Sequence, residues 1–548
     1  MRIYVVILSL VFIYSCAETE KDSGTYNVFR YNESIGISSL DPAYARTNSQ
    51  IWPVLQLYNG LVQMDDSLNV LPSIAKSWGL SKDGRVYTFL LRQDVFFHNH
   101  AAFPGDKGRT VNAYDFVYSF KRILDPGMSS PGRWVFNRLS KDNPTHPEGF
   151  YAINDTIFRL ELKEAFSPFL ALLTIPYCYV VPWEVCEAEK ENFGRNPVGT
   201  GAFQFKLWRE DEKMIFVRNE NYFEKDNDGN NLPYLDGVAI SFIKDKQSEF
   251  MEFMLGNIDL LSGVHPSYKD ELLTRSGELN PKYKNDFTLS SQPYLNTEYL
   301  AFMVDPELSD KDENPLLDIN VRKAINYGFD RKKMIRYLRN NIGEPALGSI
   351  VPVGMPSYSH EKVEGYCYNP DTAKLFLAKA GYPKGIGLKS IQLTTTSDYL
   401  DLCEFIQFEL QKIGIEISLE LSTGAAFRNL VANSNLEFFR ASWIADYPDP
   451  ESYLSLFYSG NFSPNGPNYT HFYSPDFDSL YLLSNQLQDM EKRREILVQM
   501  DQMIIDSAVI VPLYYDEVLR FTPISIENFQ TNPMNLLKLK SAKKKEDI

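Results

Sequence analysis

The chain has 548 residues, more than one hydrophobic core usually serves, so two or three domains are expected. With 44% hydrophobic and 23% charged residues, its composition is that of an ordinary globular protein. A formal net charge of −16 argues against nucleic acid as a partner, because nucleic-acid binding needs a basic face.

The N-terminus has the pattern of an export signal. Arg2 precedes an apolar run over residues 3–14 that is too short to cross a bilayer. The run ends at Ser15-Cys16, which resembles a bacterial lipobox, although an ordinary signal followed by an incidental cysteine would look similar. We expect a signal peptide over 1–15, lipidation of Cys16, and a flexible polar tether over 16–26.

Four further cysteines could matter in an exported chain, where disulfides can form. They allow three complete pairings, and the sequence does not choose among these or the alternative of buried, unpaired thiols. The four are Cys178, Cys186, Cys367 and Cys403.

The first part of the chain alternates helix and hairpin signals. Residues 51–61 have helical spacing and stop at Asn59-Gly60. Asp83-Gly84 lies between two β-rich runs and predicts a hairpin. Residues 111–120 predict a helix with Asn112 as its N-cap.

Two patterns in this region could suggest cofactor sites. His98 and His100 could form a metal pair, but no third ligand is close in sequence, which favours a structural histidine. Gly199-Thr200-Gly201 could cradle phosphate, but only between a strand and a helix. A hairpin is predicted after it instead, so we expect no nucleotide site.

The second half predicts a βαβ unit. A strand over 391–396, a helix over 398–413 and a strand over 415–421 imply a parallel pair with a right-handed crossover. Asp318, Asp330 and Asn369 are predicted to cap the helices before this unit. A helix over 491–505 follows later, and the lysine-rich tail from residue 538 is expected to be solvated.

Asp446 is the strongest single candidate for function. It follows an apolar stretch over 436–444 that predicts another strand of the same sheet, and Pro448 and Pro450 then prevent further pairing. A carboxylate there is costly unless a cation or several donors meet it. One interpretation is a turn-capping aspartate. The other is a carboxylate that waits for a cationic ligand group at the carboxyl end of a strand.

These segments resemble the peptide- and oligopeptide-binding proteins that serve ABC importers, solute-binding protein family 5. Residues 440–450 match the family's W-x-A-D-Y-x-D-P signature, and other matches occur in the same order along nearly all of the chain. They are L-D-P…G-L over 40–61, A-x-S-W…S-x-D-G-x-x-Y-T-F-x-L-R…F-H over 75–98, P-V-G-T-G over 197–201, V-R-x-A-I-x-x-x-x-D-R over 321–331 and a last crossing strand over 508–515.

The resemblance implies an α/β fold of the periplasmic-binding-protein-like type II, with two hinged lobes built from three domains around mixed β-sheets. It implies that domain II is inserted into domain I and that domain III carries Asp446. The implied boundaries are 27–70, 196–293 and 511–548 (with the tail) for domain I, 71–195 for domain II and 294–510 for domain III.

The resemblance also implies a ligand site. Asp446 would pair with the α-ammonium of a peptide, and Trp443 would supply apolar wall, or else lie in the core. Arg440 matches an arginine that can reach a ligand carboxylate, but a structural ion pair is an equal alternative. Further candidates are the loop Arg46, Thr47 and Asn48, which would touch the ligand backbone, together with Trp134 and Tyr514.

The function implied is capture of di- or oligopeptides by lobe closure and delivery to ABC permease subunits. The protein would be a monomeric lipoprotein, anchored to a membrane on the periplasmic or cell-surface side. No catalytic, metal or cofactor motif stands out, so no enzyme activity is expected. The alternatives are a non-peptide solute (nickel, haem or oligosaccharide) and a surface-anchored sensor or adhesin.

Overall fold

The structure is a computed structural model that describes residues 27–309 and 314–545. The predicted signal peptide over 1–15, the lipidation site Cys16 and the tether over 16–26 lie outside these residues. Within the described part of the chain, no helix combines the length and the apolar character that crossing a bilayer requires.

A four-stranded sheet joins the start of the chain to residues 203–241. Its order is Val28–Asn32, Gly237–Ser241, Lys213–Arg218 and Phe203–Arg209, with the first pair parallel and the others antiparallel. The hairpin predicted after Gly201 is therefore confirmed. Helix Asn48–Leu57 packs on this sheet, and the strand pair Val62–Met64 and Val70–Pro72 follows that helix in the chain. Helices Lys246–Met254 and Lys269–Leu272 instead pack with Phe287, Leu519 and Phe521 in a separate apolar cluster.

A second four-stranded sheet lies wholly within residues 75–161. It is antiparallel, in the order Ala75–Leu80, Val86–Leu91, Ile157–Glu161 and Phe150–Asn154. The predicted Asp83-Gly84 hairpin connects its first two strands. The helices of this region are Ala113–Leu124, Phe169–Leu172 and Trp183–Glu189, with a 3₁₀ segment over Pro131–Arg138.

The largest sheet has seven strands and carries the Asp446 segment. In order these are Leu261–Ser262, Ile510–Pro523, Phe287–Phe302, Phe438–Ile444, Ile391–Thr395 and Ile417–Leu421, with Glu344–Pro345 also on Ile510–Pro523. The last two strands of the order are parallel, which confirms the predicted βαβ unit. The helices are Ile319–Tyr327, Arg331–Leu338, Pro370–Lys379, Leu400–Gln411, Gly424–Ala432, Glu451–Leu454, Pro475–Gln486 and Met490–Ser507.

Helix capping follows the predicted residues. The Asn112 side chain accepts the backbone N–H of Asp115, whose own side chain accepts the N–H of Asn112, so the two form a capping box. Asp318, Asp330 and Asn369 also accept backbone N–H groups at the starts of their helices.

Two expectations differ from the structure. The helix predicted over 51–61 begins at Asn48, after Thr47, whose carbonyl accepts the N–H groups of Gln50 and Ile51. It ends at Leu57, because Tyr58 returns to an extended conformation. Over its described residues 538–545, the C-terminal tail is packed rather than solvated: Leu539 and Ala542 are fully buried, and Lys538 donates to the Met64 carbonyl at 2.7 Å. Alternating leucines and lysines let this segment bury one side while the other makes ion pairs.

The apolar cores divide the molecule into two lobes. The largest cluster consists mainly of residues from 29 to 242 and the buried tail residues, with Leu260, Tyr447 and Ile526 added from elsewhere in the chain. Two clusters formed mainly by residues 295–514, one of which also includes Met64 and Leu68, lie on opposite faces of the seven-stranded sheet. Tyr299 and Ala301 belong to one, and Leu300 and Phe302 to the other. The predicted boundary at 293/294 falls inside strand Phe287–Phe302, so the chain passes from one lobe to the other as a strand.

Candidate ligand-binding site

A cavity of about 740 Å³ lies between the two lobes, within the size range of small-molecule sites. The loop 45–48, Trp134 and residues 175–177 form one wall. Tyr294 and residues 444–446 form the opposite wall. Segments more than a hundred residues apart therefore meet around one space.

Asp446 is positioned by the end of strand Phe438–Ile444. The backbone N–H of Ala445 still bonds to the Leu295 carbonyl at 2.9 Å, and that of Asp446 donates to Ser452 Oγ at 3.2 Å. Pro450 then leads into helix Glu451–Leu454. The strand thus stops at the cavity edge, and the Asp446 side chain is exposed to the cavity.

The Asp446 carboxylate has no cation partner and accepts no hydrogen bond from any residue that the structure describes. Although exposed to the cavity, it is surrounded by protein, and this desolvation raises its pKa to about 6. Repulsion from Glu451 adds to the rise. The candidate site therefore contains a carboxylate whose charge is not neutralised by any residue that the structure describes.

The residues behind Asp446 hold its turn rigid. Glu451 accepts hydrogen bonds from the hydroxyls of Tyr447 and Tyr481, and Arg138 approaches it at 3.8 Å. Asp449 accepts two bonds from the buried Arg493, at 2.7 and 2.8 Å. The other carboxylates of this segment are thus occupied, which distinguishes Asp446 from them.

The predicted loop Arg46, Thr47 and Asn48 lines the cavity at the start of helix Asn48–Leu57. Thr47 Oγ1 lies 2.8 Å from Ser49 Oγ, and the Arg46 backbone N–H donates to Gln50 Oε1 at 3.1 Å. These contacts hold the loop in place and leave the Arg46 guanidinium free to face the cavity.

The two predicted tryptophans lie at different places. Trp134 lines the main cavity and stacks on Tyr447, with ring centroids 6.5 Å apart. Trp443 instead lines an adjoining cavity of about 410 Å³ that shares Trp134 and Asp446 with the first. Its Nε1–H donates to Ser452 Oγ at 3.4 Å, so it supports the Asp446 turn from behind.

Two other candidates do not line the main cavity. The Arg440 guanidinium donates to the buried Glu298 and lies 3.4 Å from the ring centroid of Tyr399. This is the structural ion pair that the sequence left open. Tyr514 is buried in the core, where its hydroxyl accepts from Arg339 Nη1 at 2.9 Å.

Both ring nitrogens of His98 contact the backbone of residues 199–201. His98 is buried, its Nε2 lies 3.0 Å from the Gly201 carbonyl, and its Nδ1 accepts the Gly199 N–H at 3.3 Å. Burial lowers its pKa to about 4. Over 27–309 and 314–545, no group of three or more His, Cys, Asp or Glu side chains is placed to hold a metal, and the four cysteines beyond Cys16 are unpaired.

Several wall residues had no sequence signal. Tyr177 and Tyr294 belong to none of the motifs found in the sequence, although Tyr294 does follow the predicted domain crossing. They belong to the candidate site only because the fold brings both of them to the same cavity. The remaining lining residues are apolar: Ala45, Ile51, Leu55, Met64, Pro131, Ile175, Pro176, Ile444, Ala445, Met534 and Leu536.

Two lobes around mixed sheets, with a cleft between them and an unpaired carboxylate in it, define the class of type II extracytoplasmic binding proteins. Solved structures share this fold. DppA from Helicobacter pylori in complex with the peptide STSA has a TM-score of 0.75 at 24% identity, covering 95% of this chain and 98% of that one. HbpA2 from Haemophilus parasuis has a TM-score of 0.80 at 21% identity, covering 95% and 100%.

The chain belongs to the bacterial extracellular solute-binding proteins, family 5, whose model matches residues 69–465. Curated relatives match over most of their length. Heme-binding protein A from Haemophilus influenzae is 28% identical over 93% of this chain and 91% of its own. The oligopeptide-binding protein OppA from Bacillus subtilis is 25% identical over 91% and 90%. The resemblance inferred from the sequence motifs is thereby confirmed.

Proposed function

We propose that this protein is the peptide-binding component of an ABC importer. It captures short peptides between its lobes and passes them to permease subunits in the membrane. In this proposal it acts as a monomer, has no enzymatic activity, and is held at the membrane through a lipid on Cys16. Its site faces the periplasm or the cell exterior.

The observation that carries the proposal is the unpaired Asp446 carboxylate in the inter-lobe cavity. A desolvated anion is unfavourable until a cation meets it. A peptide brings an α-ammonium that can donate charge-assisted hydrogen bonds to both carboxylate oxygens. Relatives named for binding oligopeptides, dipeptides and di- or tripeptides support a peptide ligand.

Replacing Asp446 tests this function directly. Removing one partner of a buried ion pair costs about 3–5 kcal/mol, so Asp446→Asn should bind peptide roughly 150-fold to 5,000-fold more weakly. Isothermal titration with a mixture of defined di- to pentapeptides measures the loss. Asp449→Asn is not a suitable control, because Asp449 is paired with Arg493. Asp228→Asn, an exposed aspartate on a distant turn, should bind as the wild type does.

Near-native peptide affinity of Asp446→Asn would reject the ammonium role. Native mass spectrometry of the protein as purified gives an independent check. Bound masses that match peptides support the proposal, and bound sugars or metal ions would contradict it.

Haem is the second candidate, because one relative is named a heme-binding protein and the cavity is large. Haem carries two propionates, and the only cationic side chain among the described lining residues is Arg46. Titration with haem followed by absorbance near the Soret band decides between the two ligands. A shifted Soret band that a peptide does not displace would favour haem.

A further inference from the structure

The main cavity has an apolar wall whose residues remain partly exposed. Ile51 and Leu55 are about one helical turn apart and face the cavity from helix Asn48–Leu57. Met534 and Leu536 face it from the C-terminal segment. All four residues are half-buried, so they still expose apolar surface that a ligand can cover. We call these four residues the apolar wall.

The C-terminal segment is fixed where it borders the cavity. Trp52 Nε1 donates to the Asn535 carbonyl at 2.8 Å. Nη2 of the buried Arg520 donates to the same carbonyl at 3.1 Å and to the Asn535 side chain at 2.9 Å. Because Asn535 is held by these two residues, the neighbouring side chains of Met534 and Leu536 are left to line the cavity.

The same segment contacts both lobes. Leu537 belongs to the apolar core of the first lobe, whereas Met534 and Leu536 pack against one of the two core clusters of the second lobe. The Leu295 N–H, at the passage between the lobes, donates to the Pro533 carbonyl at 2.8 Å. The part of the apolar wall that comes from the C-terminal segment is therefore held in place by both lobes.

A smaller cavity of about 70 Å³ lies behind the apolar wall. Leu55, Met64 and Leu536 line both this cavity and the main one, so their side chains separate the two spaces. Methionine is unbranched and adapts its shape to a neighbouring group. This partition can therefore adjust to apolar groups of different shapes, with unfilled space behind it.

We propose that the apolar wall binds a large apolar side chain of the ligand, so that the protein prefers peptides that carry leucine, methionine or phenylalanine. This inference rests on the proposed function, since it takes the ligand to be a peptide. Each methylene group moved from water to an apolar surface strengthens binding about 4-fold. Met534 and Leu536 are thereby specificity-determining residues that the C-terminal segment contributes to the site.

Isothermal titration of the wild type with tripeptides tests the preference without any substitution in the protein. Ala-Ala-Ala is the reference, and a single leucine or asparagine, which are similar in size, replaces each alanine in turn. Leucine has three more carbon atoms than alanine. At one of the three positions, leucine should therefore strengthen binding about 10-fold to 60-fold, whereas asparagine at that position should not strengthen it.

Two substitutions test the contribution of the C-terminal segment. Leu536→Asn and Met534→Gln keep the approximate size of the side chain and make it polar. Each should lower the ratio of leucine-peptide to Ala-Ala-Ala affinity by about 4-fold or more. The control is Ile524→Asn, because Ile524 is 55% exposed and does not line the main cavity. This control should keep the wild-type ratio.

Equal affinities of the leucine and asparagine peptides at all three positions would overturn the inference. Binding of Ala-Ala-Ala would in that case leave the proposed function standing. A leucine preference that is unchanged in both Leu536→Asn and Met534→Gln would also overturn the inference, because the preference would then arise elsewhere in the cavity. If the wild type binds none of the peptides, the proposed function fails together with the inference.

Discussion

At the scale of single residues, the ionised Asp446 carboxylate is unfavourable in the folded protein without a ligand. Burial raises its pKa to about 6, so its ionised form is less favourable in the folded state than in the unfolded chain. The stabilising contribution of this group is present below its ordinary pKa and is lost as the pH rises through about 6. Under the proposed function, the charge that binds the ligand ammonium is the same charge that lowers the stability of the empty protein.

This residue predicts how binding depends on pH. Below about pH 6 the empty site becomes protonated, whereas a peptide ammonium stays charged, so affinity should fall by up to about tenfold for each further pH unit. The charged groups nearby are Glu451, which repels Asp446, and Arg46 across the cavity; Tyr177 and Tyr453 are neutral in this range. Isothermal titrations with peptide between pH 4.5 and 7.5 measure how the affinity changes with pH.

Asp446→Asn serves as the control for that pH dependence. The weak affinity for peptide that this variant retains should no longer change with pH below about 6. The empty variant should also melt at a higher temperature than the empty wild type at pH 7.5, with the difference disappearing near pH 4. If the wild-type affinity for peptide stayed constant from pH 7 to 4.5, the proposal that the ionised Asp446 carboxylate binds the ammonium would be contradicted.

At the scale of elements, the segment 197–201 forms hydrogen bonds with three other segments of the first lobe. The Gly201 N–H donates to the Leu57 carbonyl at 2.9 Å, and its own carbonyl accepts from Asn219 Nδ2 at 2.9 Å. His98 bonds to the same carbonyl. A Cβ at Gly201 would collide with the backbone of Gln56 and Leu57, so this position requires glycine because of close approach.

Gly201→Ala should therefore destabilise the protein. The end of helix Asn48–Leu57 must shift to admit the methyl group, and overpacking of this kind costs about 1–3 kcal/mol. Urea denaturation measures the free energy of unfolding. Gly79→Ala is the matched control, because no atom lies within 4 Å of the added Cβ. Equal stability of the two variants would show that the helix end can move freely.

At the scale of the whole molecule, the lobes also touch outside the cavity. The Ser167 N–H donates to the Asn485 carbonyl at 2.9 Å, and Ser167 Oγ donates to the Leu487 carbonyl. Gln486 Nε2 donates to Glu164 Oε2 at 3.2 Å. These bonds join a loop within residues 71–195 to the C-terminal end of helix Pro475–Gln486 and to Leu487 in the other lobe. We expect them to break when the cleft opens.

Ser167→Ala should speed ligand release. Losing one net hydrogen bond of about 0.5–1.5 kcal/mol predicts a dissociation rate about 2-fold to 13-fold higher, with the association rate little changed. Stopped-flow tryptophan fluorescence, with Trp134 in the cavity wall, measures both rates. Ser479→Ala removes a serine-to-carbonyl bond within one helix and should leave the rates unchanged. Identical release from both variants would mean that these loops do not restrain opening.

Much of the local structure was predictable because its causes are local. Asn112, Asp318, Asp330 and Asn369 cap helices through bonds to residues two or three positions away. The βαβ unit follows from hydrophobic spacing within thirty residues. The packed tail was predicted wrongly, because its partners, such as Met64, are hundreds of positions away.

The sequence by itself determined the family, the order of strands and helices, and a carboxylate placed just after a buried strand, since each depends on neighbouring residues. Only the tertiary structure decided which charged side chains form ion pairs with each other. Arg440 finds Glu298, 142 positions away, and is thereby removed from the site, while Arg46 and Asp446, 400 positions apart, face one cavity unpaired. Charge pairing acts over a few ångströms in space, and sequence spacing does not report such distances between remote segments.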